Sequence, residues 1–251
     1  MKYFCYLGCS IMTTEVATEI PRLKTLVDLR LVPAGFHEQP EVLNKIIQHE
    51  IDNIEEWNIL KTKSPSTAQT YDAILLGFGL CEKATAGVYA RSIPLVIPRA
   101  HDCVTLLLGS KDRYQQLFKE KPGNYWYSCG WNDRMLQPGP EREEQLRRIY
   151  LEKYGAENAE FLMETEREWQ KNYHQATFIR WDLPEADRHR EYAQKCAAYL
   201  NWQYEEASGD TSLLRDFLNG DWDEERFLIV KPGEEIVPSY DEHIINSVKR
   251  N

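Results

Sequence analysis

Two short runs constrain the fold of this chain more than any other feature. Residues 73–78 (AILLGF) and 95–98 (LVIP) are apolar at nearly every position. A half-exposed strand alternates apolar and polar residues, so a run apolar throughout needs cover on both faces, the condition of a central strand in a parallel α/β sheet. Residues 2–8 and 29–32 read as two earlier strands, and 176–181, 202–205 and 227–230 as three later ones. NYWYS at 124–128 reads as a fifth strand or as an aromatic lid.

Helical spacing fills the intervals. Thr13 and Thr14 cap a helix running toward Leu26, and Val42, Leu43, Ile46, Ile47, Ile51 and Ile54 mark one over 40–57. A short helix is expected between 79 and 94. Residues 103–118 form a helix in two pieces split at Gly109-Ser110, while 185–200 and 211–218 are helical. Residues 61–69 are a polar loop, and 236–247 pack across a surface. Strands alternating with helices predict an α/β, Rossmann-like parallel sheet. Pro138-Gly139-Pro140 breaks the chain, and the Glu/Arg/Leu-rich stretch 141–173 reads as a long helix or a pair of helices carrying opposite-charge pairs. The expectation is two α/β lobes, 1–138 and 139–251, with a helical connection at the start of the second.

Charge narrows the partners. Thirty basic and forty acidic residues give −10, with no basic stripe to track phosphates, which argues against nucleic acid and anionic membranes and for a small-molecule substrate. The first residues lack the pattern of a secretory leader, and no apolar run approaches the roughly 18 residues of a membrane span, so a cytoplasmic protein is expected. Six cysteines in such a chain read as thiols or ligands rather than as a disulfide framework.

The candidate chemistry lies just after the strands, where loops converge on ligands in open α/β sheets. Cys9 follows the first strand, His37 the second, Cys81 the third, His101 and Cys103 the fourth, and Cys129 the possible fifth. Imidazole and thiolate suit zinc, with Cys81, His101 and Cys103 as ligands and Cys9 or His37 completing the set. Cys9, Cys81 and Cys103 could instead hold an iron–sulfur cluster. In a metal-free alternative Cys103 is the nucleophile and His101 its base, with Asp102 capping the helix. Arg99 is a candidate for binding an anionic substrate group or for a structural ion pair, and Tyr125, Trp126, Tyr127, Cys129 and Trp131 for a pocket wall or for core. Cys5 and Cys196 read as packing. No complete dinucleotide or phosphate-binding glycine loop is present.

LLGFGLC, IPLVIPRAHDCVTLLLGS, PGNYWYSCGW and SGDTSLLRDFLNGDWDEERFLIVKPG resemble domain-of-unknown-function family 1638, of anaerobic bacteria and methanogenic archaea. Cys9, His37, Cys81, His101 and Cys103 fall on features of that family, while Glu82 stands where its glycine usually follows the G-L-C turn. The resemblance implies a setting near corrinoid-dependent methyl transfer. The resulting expectation is a metal-dependent, methyltransferase-like enzyme of one-carbon metabolism, with a corrinoid protein as partner. The alternative is a non-catalytic accessory protein binding a metal or a corrinoid.

Overall fold

A computed structural model of the chain describes residues 1–63 and 69–250, so 64–68 of the expected loop lie outside the described residues. In order the chain forms β1 (Tyr3–Cys9), α1 (Thr13–Glu19), β2 (Leu26–Val32), α2 (Pro40–Thr62), β3 (Ala73–Gly77), β4 (Leu95–Pro98), α3 (Cys103–Leu108), α4 (Lys111–Glu120) and β5 (Asn124–Tyr127). There follow α5 (Cys129–Arg134), α6 (Pro140–Gln170), β6 (Gln175–Arg180), α7 (Ala186–Leu200), β7 (Gln203–Ser208), α8 (Ser212–Asn219), β8 (Phe227–Val230), β9 (Glu234–Pro238) and β10 (Ile245–Lys249).

These elements divide into two compact units, Met1–Arg113 with Asp210–Asn251, and Tyr114–Gly209. The division differs from the expected 138/139 boundary. FLIV at 227–230 does not build a separate C-terminal sheet; it pairs with β4 in the first unit, while the NYWY strand pairs with β6 in the second. Short-range sequence pattern identifies a strand but carries no information about its partner.

The first unit holds a five-stranded sheet in the order β2-β1-β3-β4-β8, parallel except for β8. One face of it carries Cys5, Leu7, Ile74, Leu76, Leu95 and Ile97, packed with Leu43, Ile47, Ile51 and Ile54 of α2. Those four recur at helical spacing, and each contributes roughly 1.5–3 kcal/mol by leaving water. On the other face Phe4 lies 5.2 Å from Trp222, and Tyr6 meets Phe217 of α8 edge-on at 6.3 Å. The Glu19 carboxylate of α1, fully buried, pairs with Arg215 of α8 at 2.7 Å. The expected short helix between β3 and β4 is instead a run of turns, and α1 stops at Glu19 because Ile20-Pro21-Arg22 tightens into a 3-10 turn. An antiparallel β9–β10 pair closes the chain, its Ile236 exchanging backbone hydrogen bonds with Gly87 and Val88.

The second unit has a three-stranded parallel sheet, β5-β6-β7. Its long α6 is a pair of arms, since Gly155 leaves helical geometry (φ 77°, ψ 173°). Arg142 with Glu166, and Arg147 and Arg167 with Glu143 and Glu160, lace the arms together.

Candidate functional site

In the first sheet the strand order reverses between β1 and β3: the chain steps from β1 outward to β2, then returns past β1 to β3 and on to β4. Loops leaving two strands at such a reversal diverge and open a crevice beyond the strands' carboxyl ends. Cys9 ends β1, Cys81 lies in the turn after β3, and Cys103 opens α3 after β4.

Tyr6 is aimed at this end of the sheet. A Cβ placed on Gly77 would stand 2.1 Å from the Tyr6 hydroxyl oxygen, and one on Gly8 2.5 Å from it, so the ring runs along the strands over these two residues. Gly8 and Gly77 are themselves cross-strand partners. The phenol is fully buried and, among the described residues, its hydroxyl has no hydrogen-bond partner. Such a group costs about 1–3 kcal/mol, and folded proteins keep few of them. Burial, followed by the proximity of Cys9, Glu15 and Cys103, pushes its pKa up, so the oxygen holds its proton as a donor. Thr105 Oγ1 on α3 is a second buried hydroxyl without a partner among the described residues.

The loops after β3 and β4 are zipped together. Leu80 N–H donates to Ala100 O and Cys81 N–H to His101 O, both at 2.8 Å. A side chain on Gly79 would put its Cβ 2.6 Å from the Asp102 nitrogen, so this approach requires glycine. Cys81, Glu82 and Lys83 all take left-handed backbone angles (φ 45°, 54° and 72°), each costing on the order of 1–2 kcal/mol for a residue with a Cβ. Glu82 therefore occupies a position that favours the glycine it replaces. The Asn44 amide of α2 holds the turn by donating to Ala84 O at 2.8 Å and Ala86 O at 2.7 Å.

Cys9 and Cys81 both pack against the α2-facing core, and Cys9 acts on Cys81. Burial pushes Cys9 up, and Cys81 to about 12, with Asp102, Cys9 and Glu82 adding to the Cys81 shift. Both are neutral thiols. The Cys9 charge adds to the upward shifts of both Cys81 and Tyr6, and that of Cys103 to the shift of Tyr6.

The remaining candidates are placed differently. His101 is exposed and joins the loop through its backbone carbonyl, while His37 is half-buried in a 3-10 turn after Gly35. Asp102 caps α3 by accepting from Val104 N–H at 2.9 Å. Arg99, 8% exposed, donates to the carbonyls of Glu224 (2.8 Å), His243 (3.2 Å) and Ile245, so it anchors the C-terminal segment on β4 rather than facing a substrate. Among the described residues no group of three or more His, Cys, Asp or Glu side chains is arranged to hold a metal ion.

Cys129, expected at the same sheet edge, follows β5, which belongs to the other sheet. In that second unit Tyr127 is fully buried and donates to Pro138 O at 2.9 Å, and Tyr125 packs among Tyr127, Trp169, Tyr173 and Trp202. Tyr127 is a core residue, and Tyr125 is half-buried beside it. Cys129 is buried at the start of α5, and Trp131 N–H caps back to Ser128 Oγ at 3.2 Å. Cys5 and Cys196 are fully buried, as packing residues should be.

Sequence reasoning missed Tyr6. Its signal was the pair of glycines inside otherwise apolar strands, since a strand glycine often marks close approach by another group.

The fold is that of a mostly parallel α/β protein, with Cys9, Cys81 and Cys103 at the strand ends around the reversal point. The chain belongs to the family described as "Protein of unknown function (DUF1638)", whose model matches residues 31–218. The match takes in Cys81 and Cys103 and leaves Tyr6, Cys9 and β8 outside it. No significant match exists among curated proteins or among solved structures. Among the described residues no helix is long and apolar enough to cross a membrane.

Proposed function

We propose that the protein is a metal-dependent enzyme acting on a small molecule at the carboxyl ends of β1, β3 and β4. Cys9, Cys81 and Cys103 supply the thiol donors, and Tyr6 donates a hydrogen bond to the bound group. One observation carries this reading: the buried Tyr6 hydroxyl has no partner, stands at the strand reversal, and has Cys9 and Cys103 as ionisable neighbours. A donor kept dry and unsatisfied costs stability unless something bound accepts from it.

Thiol donors suit a thiophilic ion, zinc first, which would supply an activated thiol or water; the same donors would also suit an iron–sulfur cluster. Among the described residues no three donors are arranged for an ion. Binding one would also take the protons of these thiols. Transfer of a methyl or other one-carbon group is the reaction class to which the family resemblance points, and a corrinoid protein is the corresponding partner.

Elemental analysis and a visible spectrum of protein purified without oxygen test the proposal. Bound zinc is expected, lost in Cys9→Ser and Cys81→Ser; visible absorbance with bound iron would replace zinc by a cluster. Protein that is metal-free as isolated, and that takes up neither zinc nor iron on anaerobic reconstitution, would sink the reading.

A further inference from the structure

The first unit's sheet ends on β2, which pairs with β1 and has no strand on its other side among the described residues. Such an edge presents a row of unpaired backbone donors and acceptors. Leu26 N–H donates to Lys2 O at 2.9 Å, so Leu26, Asp28, Arg30 and Val32 turn their backbone groups toward β1. Val27, Leu29 and Leu31 turn theirs outward. Side chains alternate too: Asp28 and Arg30, in register with Cys5 and Leu7, lie on the α2 face, and Val27, Leu29 and Leu31 on the opposite one. Proteins commonly blunt such an edge with a lysine, a proline or a bulge. β2 (LVDLRLV) runs in unbroken register with none of these, and leaves Leu29 37% and Leu31 38% exposed.

The segment is self-complementary about Leu29. Laid antiparallel on a second copy of itself, with a two-fold axis through Leu29, it sets each Asp28 opposite an Arg30 in the closely spaced pairs that exchange no backbone hydrogen bonds. The hydrogen-bonded pairs are then Leu29 with Leu29 and Val27 with Leu31, whose backbone groups already point outward. Pro33, without an N–H, ends the ladder just past Val32. Neighbouring registers do worse. An axis at Asp28 opposes two carboxylates and one at Arg30 two guanidiniums, and like charges directly opposite are destabilising. An axis at Val27 sets Arg30 against Lys24, while one at Leu31 leaves Asp28 and Arg30 opposite uncharged residues.

Both charged groups can take up this pairing. The Asp28 carboxylate accepts from the Tyr3 and Tyr71 hydroxyls through Oδ2, and among the described residues its Oδ1 carries no hydrogen bond. Arg30 gives one nitrogen to Glu50 at 3.3 Å, a fraction of its five-donor fork. Trp57 adds apolar area beside them: 56% exposed, it shares a flank of α2 with Glu50 and Lys61, which reach Arg30 and Asp28. We infer that β2 is a docking edge for a second copy of this chain, joined antiparallel about Leu29 into one continuous sheet. This surface does not rest on the metal proposal.

Sedimentation velocity of the full-length protein tests the inference. A species of twice the 29.4 kDa chain mass should form at or below about 100 μM, beyond the micromolar weak end of ordinary interfaces. Leu29→Lys puts two like charges at the axis of the pair and should raise the dissociation constant at least about tenfold. Its exposed position should keep the parent's circular dichroism. Asp28→Arg and Arg30→Asp should each weaken self-association about tenfold, because each turns both cross-strand charge pairs into like-charge pairs. Mixed in equal amounts, these two variants should dimerise with each other, since every pair then regains opposite charges. A purely structural role for Asp28 or Arg30 gives no such rescue. The inference is overturned by a parent that stays monomeric to 100 μM, or by Leu29→Lys dimerising as tightly as the parent. Two folded charge variants that lose self-association and fail to pair when mixed would also overturn it.

Discussion

In the first unit the central parallel strands β1, β3 and β4 are buried on both faces and end at a rim that holds a phenol, half-buried thiols and left-handed backbone. In the second unit the sheet face is knit by Asn124, Thr177, Glu205 and Lys121, and the arms of α6 by arginine–glutamate pairs. Exposed pairs of that kind contribute roughly 0–1 kcal/mol each. The rim costs more, through an unpartnered hydroxyl and three residues with positive φ. Costs of this type persist when surrounding packing holds them in place, and they gather where a protein binds or reacts. The contrast marks the first unit's rim as the place where strained backbone and an unpartnered buried hydroxyl meet; in the second unit, among the described residues, Asn124 Nδ2, Asn132 Oδ1 and Glu141 Oε2 are buried without partners.

The contrast breaks most directly at glycine. Gly77→Ala drives a methyl to within 2.2 Å of Tyr6 Cζ, where the ring has strand backbone on one side and Phe217 on the other. Denaturant unfolding should show a loss of about 3 kcal/mol or more, at or above the usual upper range for overpacking. Tyr6→Leu in the same chain should restore part of it. Gly155→Ala in the second unit meets open space and strains only a positive φ, for a loss of about 1–2 kcal/mol. Equal losses at the two glycines would mean that Tyr6 is not wedged as described.

Arg99 gives the next largest effect. As an anchor for the carbonyls of Glu224, His243 and Ile245, its replacement by Met should cost about 2–4 kcal/mol, because buried acceptors of a charged donor are left unsatisfied. A substrate-binding arginine would instead leave unfolding unchanged and abolish ligand affinity. Melting the variant beside the parent separates the two.

How far these features were legible in sequence depends on their range. The all-apolar runs 73–78 and 95–98 named the central strands because double-sided burial leaves a local mark. The split of α3 from α4 was readable at Gly109-Ser110 for the same reason, with Gly109 at φ 76°. Strand partnership leaves no such mark, so FLIV at 227–230 was assigned to the wrong sheet. Cys9, Cys81 and Cys103 follow strands of one sheet because position along a strand fixes the edge a residue reaches, but Cys129, expected with them, follows a strand of the other sheet. His101 sits at the same edge yet turns outward, since loop orientation is set by the backbone contacts between 79–81 and 100–102. In NYWY the alternation correctly signalled two faces, but which face holds the core was settled by Trp169, Tyr173 and Trp202, far along the chain.

Tyr6→Phe is the smallest change and the most discriminating. It removes one oxygen from a fully buried position where that oxygen has no partner, and keeps the ring that Gly8 and Gly77 accommodate. For a hydroxyl with no role, deletion returns the cost of burying it, so the variant should be more stable by about 1 kcal/mol, within the 1–3 kcal/mol range for an unsatisfied group. For a hydroxyl that serves a bound group, the same variant should gain stability in the ligand-free protein yet hold metal or substrate less tightly. Neither packing nor a hidden structural hydrogen bond produces that pair of signs: a hydroxyl that only packs gives the gain in stability with metal retention unchanged, and a hidden bond predicts lost stability. Denaturant unfolding of metal-free protein, set beside metal retention under dialysis against a chelator, reads both signs. Lost stability in the metal-free variant would remove Tyr6 from the site and return the rim to ordinary packing.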